Sequence, residues 1–173
     1  MKWIIFTGTW RLTNKDVEND VRLAARQVFE YGDGLVTGGG ATGVDYFAMD
    51  EFLKLNPECN RIRIFIPARL PHFISDYRKN WKHSPITDSD IDNLEYLLRI
   101  IKERNPSAIF EVRKDQGDII QAEYDIRHDQ EVTFSDEVYA FQVNNSSGTQ
   151  DTIDKARSAG LPVSLHKKYT IVE

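Results

Sequence analysis

Trp3–Phe6 is an unbroken apolar run that stops at Thr7-Gly8-Thr9, the pattern of a strand buried on both faces. Asn14–Tyr31 then carries Val17, Val21, Leu23-Ala24-Ala25, Val28 and Phe29 at helical spacing, closed by Gly32 and Gly34. Leu35–Thr37 predicts a second strand. Val44–Leu55 predicts a second helix with Val44, Phe47, Ala48, Phe52 and Leu55 facing inward, stopped by Asn56-Pro57. Ile62–Ile66, ended by Pro67, is a third strand. Strands and helices alternating at this spacing predict a doubly wound α/β sheet.

The alternation is interrupted over residues 68–120. An aromatic-basic segment, Arg69–His83, leads into a helix from Asp88 to Arg104 with Ile91, Leu94, Leu97, Leu98 and Ile101 on one stripe. Thr87 and Asp90 form a capping box at its start, and Asn105-Pro106 ends it. Ile109–Val112 predicts an extra strand and Asp118–Arg127 another helix. About 50 residues make a poor independent core, so the stretch is read as an elaboration of a single domain, 1–173. The pattern resumes with a strand at Glu137–Val143, a helix at Thr149–Ala159 closed by Gly160, and a strand at Pro162–His166. Tyr169–Val172 predicts a short edge strand. The expected fold is a Rossmann-like α/β three-layer sandwich: a mostly parallel central sheet with an insertion after its third strand.

Charge narrows the partners. The formal net charge is −5, whereas affinity for a nucleic-acid backbone comes largely from Lys and Arg. The balance therefore argues against nucleic acid without removing a local basic patch. One cysteine, Cys59, excludes an intramolecular disulfide and fits a reducing compartment. No apolar run approaches the roughly 20 residues that span a bilayer, and the opening MKWIIFTGTW lacks the apolar core of a signal peptide. The expected location is cytoplasmic.

The candidate chemistry lies in three loops that follow strands and enter helices: Thr7–Arg11, Thr37–Gly43 and Asn144–Thr149. If the first strand is central, these loops converge where strand order reverses, the place where open α/β sheets bind ligands. The successive Gly38, Gly39 and Gly40 permit positive φ and a close approach, and a helix N-terminus beyond them favours an anion. Thr42-x-x-Asp45 and Ser147-x-x-Gln150 also read as capping boxes that need no ligand. In the segment Arg69–His83, Phe73, Tyr77 and Trp81 alternate with Arg69, Arg78, Lys79 and Lys82. That composition suits a lid over a nucleobase, a single-strand platform, or a loop packed on the sheet. Asp88, Asp90 and Asp92 imitate a calcium loop, but Asn93 and Arg99 stand where glycine and glutamate are needed. His72, His83, His128 and His166 have no metal-site spacing, and there is no dinucleotide fingerprint after the first strand. Neither metal nor cofactor is expected.

Taken together, TGTWR, TGGGATGVDYFA, Tyr124-x-x-Arg127, DEVYAF and SSGTQDTIDKA resemble the SLOG superfamily, over roughly 1–67 and 121–168. That group joins the DprA/Smf DNA-processing proteins to the LOG phosphoribohydrolases. The resemblance implies a nucleotide-type ligand held by Thr7, Gly8, Thr9 and Arg11; by Gly38, Gly39, Gly40, Thr42, Gly43 and Asp45; and by Ser146, Ser147, Gly148 and Thr149. It implies further that Arg127 meets the sugar-phosphate, with pairing to Asp125 or Asp129 as the plainer alternative. A homodimer is implied by the family alone.

One departure limits the chemistry. LOG enzymes carry PGGxGTxxE in the last loop, and Thr152 occupies the position of that catalytic glutamate. The expected role is therefore nucleotide binding as a sensor or carrier. Two alternatives remain. One is a phosphoribohydrolase-like enzyme with Arg127 and Asp45 as candidate catalytic groups and Asp125 or Glu123 as substitute carboxylates. The other is a DprA-like single-stranded DNA binder.

Overall fold

In the computed structural model, which describes residues 1–82, 85–112 and 117–173, the apolar runs become strands of one all-parallel sheet. In chain order the elements are β1 (Trp3–Gly8), α1 (Lys15–Glu30), β2 (Gly34–Thr37), α2 (Gly43–Leu55), β3 (Ile62–Ile66) and α3 (Leu70–Asp76). There follow α4 (Asp88–Arg104), β4 (Ile109–Glu111), α5 (Gln121–Thr133), β5 (Glu137–Val143), α6 (Ser147–Ser158) and β6 (Val163–Tyr169). A π-helical turn, Tyr77–Trp81, continues α3. Strand order is β4-β3-β2-β1-β5-β6, so β1 is central and the order reverses between β1 and β5.

The two-residue period of the strands sorts side chains between two cores. Ile4 and Phe6 of β1 face Val17, Val21 and Ala25 of α1, Val44, Ala48 and Phe52 of α2, and Ile91, Leu94 and Leu98 of α4. Ile5 faces the other way, with Val36, Phe65 and Val138, toward Val132 of α5 and Ala156 of α6. The result is three layers. The 68–120 stretch joins the first core through α4 and adds β4 beyond β3, in register Ile64↔Ile109.

Several sequence expectations need correction. The helix placed at Asp118–Arg127 runs from Gln121 to Thr133, because Glu123 accepts from the Ile120 amide at the start and Val132 is buried near the end. The last helix starts at Ser147 rather than Thr149. Tyr169–Val172 is not a separate strand: β6 continues through Tyr169, after which Ile171 bonds the side chain of Asn144 instead of a strand. The Thr87–Asp90 capping box forms, whereas the other two do not. Thr42 turns its hydroxyl onto the Trp10 carbonyl, and Ser146, not Ser147, is the N-cap of α6. His83, the last residue of the aromatic-basic segment, lies outside the described residues.

Candidate functional site

The three loops do meet. The loop after β1, the loop from β2 into α2 and the loop from β5 into α6 line one cleft of about 680 Å³ at the reversal of strand order. Thr7, Gly8, Thr9, Arg11, Gly38, Gly40, Thr42, Asp45, Arg127 and Ser146 to Thr149 all line it. Gly39 and Gly43 do not. Gly39, at φ +71°, turns its α-carbon toward Ile64 and Ile66, and Gly43, at φ +74°, presses against the first loop, where a Cβ would lie 2.2 Å from the Thr9 carbonyl oxygen. The Val44 amide donates to that same oxygen at 3.2 Å, locking the first two loops together.

Two amides of the glycine-rich loop are spent internally. Gly40 N–H donates to Asp45 Oδ2 at 3.2 Å and Ala41 N–H reaches the Tyr77 hydroxyl at 3.4 Å. What Gly38 and Gly40 provide is room: a Cβ on Gly38 would sit 2.8 Å from Arg127 Cζ and 2.9 Å from Glu131 Oε1, and one on Gly40 3.1 Å from Asp45 Oδ2. The glycines thus admit a charged cluster beneath the loop.

Arg127 is the centre of that cluster. Its Nη1 donates to the Gly38 carbonyl at 3.1 Å, Nη2 to His128 Nε2 at 2.6 Å, and Nε lies 3.5 Å from Glu131 Oε1. The expected alternative partners are occupied elsewhere: Asp125 accepts from Gln121, and Asp129 meets Lys155. Arg127 and Glu131 side chains are only 13% and 6% exposed, so this ion pair is largely shielded from water. Burial dominates the local acidities. It raises Glu131 to about 7 despite Arg127, and raises Asp45 above the usual carboxylate range. Burial, aided by Arg127, also lowers His128 to about 3, so its imidazole is neutral. Among the described residues the cleft carries Arg11 and Arg127 against Asp45 and Glu131, so its floor is not a cationic trough.

The anion-ready corner is instead the last loop. The first helical bond of α6 runs from Gln150 N–H to the Ser146 carbonyl, leaving the amides of Ser147, Gly148 and Thr149 with no intrahelical acceptor. A Cβ on Gly148 would meet nothing within 4 Å, so this edge is open. Asn144 and Asn145 take left-handed backbone angles, φ +47° and +52°, which asparagine tolerates better than other residues with a side chain. Thr152 is buried and donates to the Gly148 carbonyl at 3.3 Å, a helix-internal role.

Four aromatic side chains form part of the cleft wall. Trp10 and Trp81 meet edge-to-face at 5.4 Å, and Trp81 continues to Tyr77 and Tyr124 at 6.4 Å each. Trp10, Tyr77, Trp81 and Tyr124 all line the cleft. Three of the four basic residues of the same segment are engaged elsewhere: Arg78 pairs with Asp92 and Glu95, Lys79 with Asp118, and Lys82 with Asp88, while Arg69 is exposed. Arg11 is exposed and lies over the Trp10 ring at 4.6 Å.

Sequence reasoning missed Glu131 and His128. Tyr124, Arg127 and Glu131 stand at i, i+3 and i+7, one helical face, and a helix carried four residues further would have brought Glu131 in.

No family model matches the chain, and no curated protein matches it. Among solved structures, it is similar to DNA processing protein A from Helicobacter pylori, described for its single-stranded DNA binding mode. The TM-score is 0.66 at 18% identity, over 99% of this chain and 66% of that chain, so this chain spans about two thirds of its length. What the two share is the fold of the SMF/DprA protein.

Proposed function

We propose that the cleft binds a nucleotide-type, phosphate-bearing small molecule, in a sensor or carrier role. The carrying observation is that Ser147 to Thr149, whose amides have no intrahelical acceptor, and the aromatic wall line one cleft of about 680 Å³. Ligand pockets commonly fall between about 300 and 1,000 Å³. The phosphate sits on the α6 amides, where the helix dipole assists, with Arg11 at the rim supplying charge. The base lies against Trp81 and Tyr124. Thr7, Gly8, Thr9, Thr42 and Gly43 shape the first two loops around it. With threonine at position 152, turnover of the LOG type is not part of this reading.

A thermal-shift panel of nucleoside monophosphates tests it, with Gly148→Asp as the control. A ligand at a hundredfold its Kd adds about 2.7 kcal/mol of stability. An aspartate in the first turn of α6 complements the helix dipole, so the unliganded variant should melt no lower than the parent. It should nevertheless lose the nucleotide shift. An unchanged shift in Gly148→Asp would remove the phosphate from this corner.

The likeness to DNA processing protein A favours a second reading, single-stranded DNA binding, and supports it better than it supports a small-molecule ligand. The charge distribution opposes it, since Arg78, Lys79 and Lys82 are each paired with carboxylates. A salt-sensitive mobility shift with an oligodeoxynucleotide, lost when those three residues are neutralised together, is the result that establishes it.

A further inference from the structure

Beside the main cleft lies a second cavity of about 330 Å³, which a single nucleotide in the cleft leaves unused. Trp10, Arg11 and Thr42 line both, so the two spaces meet at the end of the first loop. The partition is fixed in place. The Thr42 hydroxyl donates to the Trp10 carbonyl at 2.8 Å, and the Val44 amide to the Thr9 carbonyl at 3.2 Å. Beyond it the side cavity opens at the start of α2, between Tyr46 and Phe47 of that helix and Asp90 and Asn93 of α4.

The chemistry of this cavity suits a planar heterocycle. Tyr46 and Phe47 are half-buried rings, and the Tyr46 hydroxyl and Asn93 amide form no hydrogen bond among the described residues. Asp90 spends Oδ2 on the Thr87 amide and hydroxyl, which leaves Oδ1 as an acceptor for a base amine. The same carboxylate repels phosphate. At the partition the charge is reversed: Arg11 is exposed, lies over the Trp10 ring at 4.6 Å and makes no ion pair among the described residues. A guanidinium between two ring-lined spaces is placed for a phosphate that joins two units.

We propose that the ligand is a dinucleotide. One unit lies in the main cleft with its terminal phosphate on the α6 amides, the linking phosphate passes Arg11, and the second base enters the side cavity. This rests on the nucleotide reading above and assigns the ligand class of that site. The topology agrees with it: α2 and α6 pack in opposite outer layers on either side of β1, and a ligand of two nucleotide units spans such a reversal of strand order.

Calorimetric titration of AMP against pApA, and of GMP, CMP and UMP against the matching 5′-phosphorylated dinucleotides, tests it on the parent protein. The second unit binds without a second loss of translational freedom, so the dinucleotide should bind at least about tenfold tighter in the series that binds. A trinucleotide should gain nothing more. Diadenosine diphosphate, run beside pApA, tells a pyrophosphate link from a phosphodiester, and a tenfold gain from either supports the proposal. Asn93→Trp, a change at an exposed position that fills the side cavity, should bring the ratio within about twofold. Tyr46→Ala, which strips one wall instead, should act in the same direction. Equal affinity for one unit and two overturns the side cavity as a subsite and leaves the nucleotide reading standing, as does a dinucleotide preference that survives both variants. Affinity that climbs with every added nucleotide overturns it in favour of the DNA reading. Absence of binding by every one of these compounds overturns the dinucleotide and the nucleotide reading together.

Discussion

Between pH 6.5 and 4.5, His128→Gln should become more stable as the solution is acidified and Glu131→Gln less stable. The two curves should separate by on the order of 5 kcal/mol. The sign follows from which state holds the proton. Glu131 is raised from 4.5 to about 7 in the folded protein, so folding takes up a proton there. Its contribution is full below 4.5 and is lost as pH rises through 7. His128 is lowered from 6.5 to about 3, so the unfolded chain holds the proton instead. Its contribution is full above 6.5 and is lost on acidification. In the parent these two slopes, each about 1.4 kcal/mol per pH unit, oppose one another across the shared window. Removing either residue unmasks the other. Asp45, also raised, adds to the slope of Glu131, while Arg127, Lys155 and Asp125 set the local field in all three proteins. Urea titrations at half-unit pH intervals measure the divergence. Parallel curves for the two variants would show that neither group is held in a dry floor.

How much of this was legible beforehand differs from element to element, for physical reasons. The strands were legible because a parallel sheet covered on both faces needs unbroken apolar runs, as in Trp3–Phe6, Ile62–Ile66 and Glu137–Val143. The convergence of three loops followed once β1 was central. The second half of α5 was not legible, since Arg127 to Glu131 contains no apolar residue to mark a helical stripe. That helix is held by what its polar face buries, and this depends on space beneath Gly38 that the sequence does not display. The glycine loop was read as leaving room for an anion to approach for the same reason. Its geometry depends on Asp45 accepting from the Gly40 amide rather than from the Thr42 amide, a choice between two local donors that spacing alone leaves open. Asn144 and Asn145 are the converse case. They are not glycines, yet asparagine tolerates the left-handed turn, and Asn144 ties it to Ile171 through both ends of its amide.

Arg127→Ala should cost about 3 to 5 kcal/mol of stability at pH 8 and distinctly less at pH 5. Two arms of the guanidinium are committed, to the Gly38 carbonyl and His128, and its Nε lies 3.5 Å from the Glu131 carboxylate as an ion pair without a hydrogen bond. The side chain therefore joins α5 to the second loop. Its removal leaves two carboxyls, Asp45 and Glu131, without their counter-charge, and leaves the Gly38 carbonyl and His128 Nε2 without a donor. Uncompensated buried charge is far costlier than a missing surface pair. At pH 5 Glu131 carries its proton in the folded state, so the same deletion exposes one charge fewer and the deficit shrinks. Arg127→Lys keeps the charge but has no fork to serve three partners, and should fall between parent and alanine. The double variant Arg127→Ala/Glu131→Gln should recover part of the loss at pH 8 and little at pH 5, a coupling that a double-mutant cycle reads directly. An alanine variant within 1 kcal/mol of the parent at both pH values would mean that the guanidinium is solvated. It would then be available to a phosphate after all, and the floor would have to be redrawn as cationic.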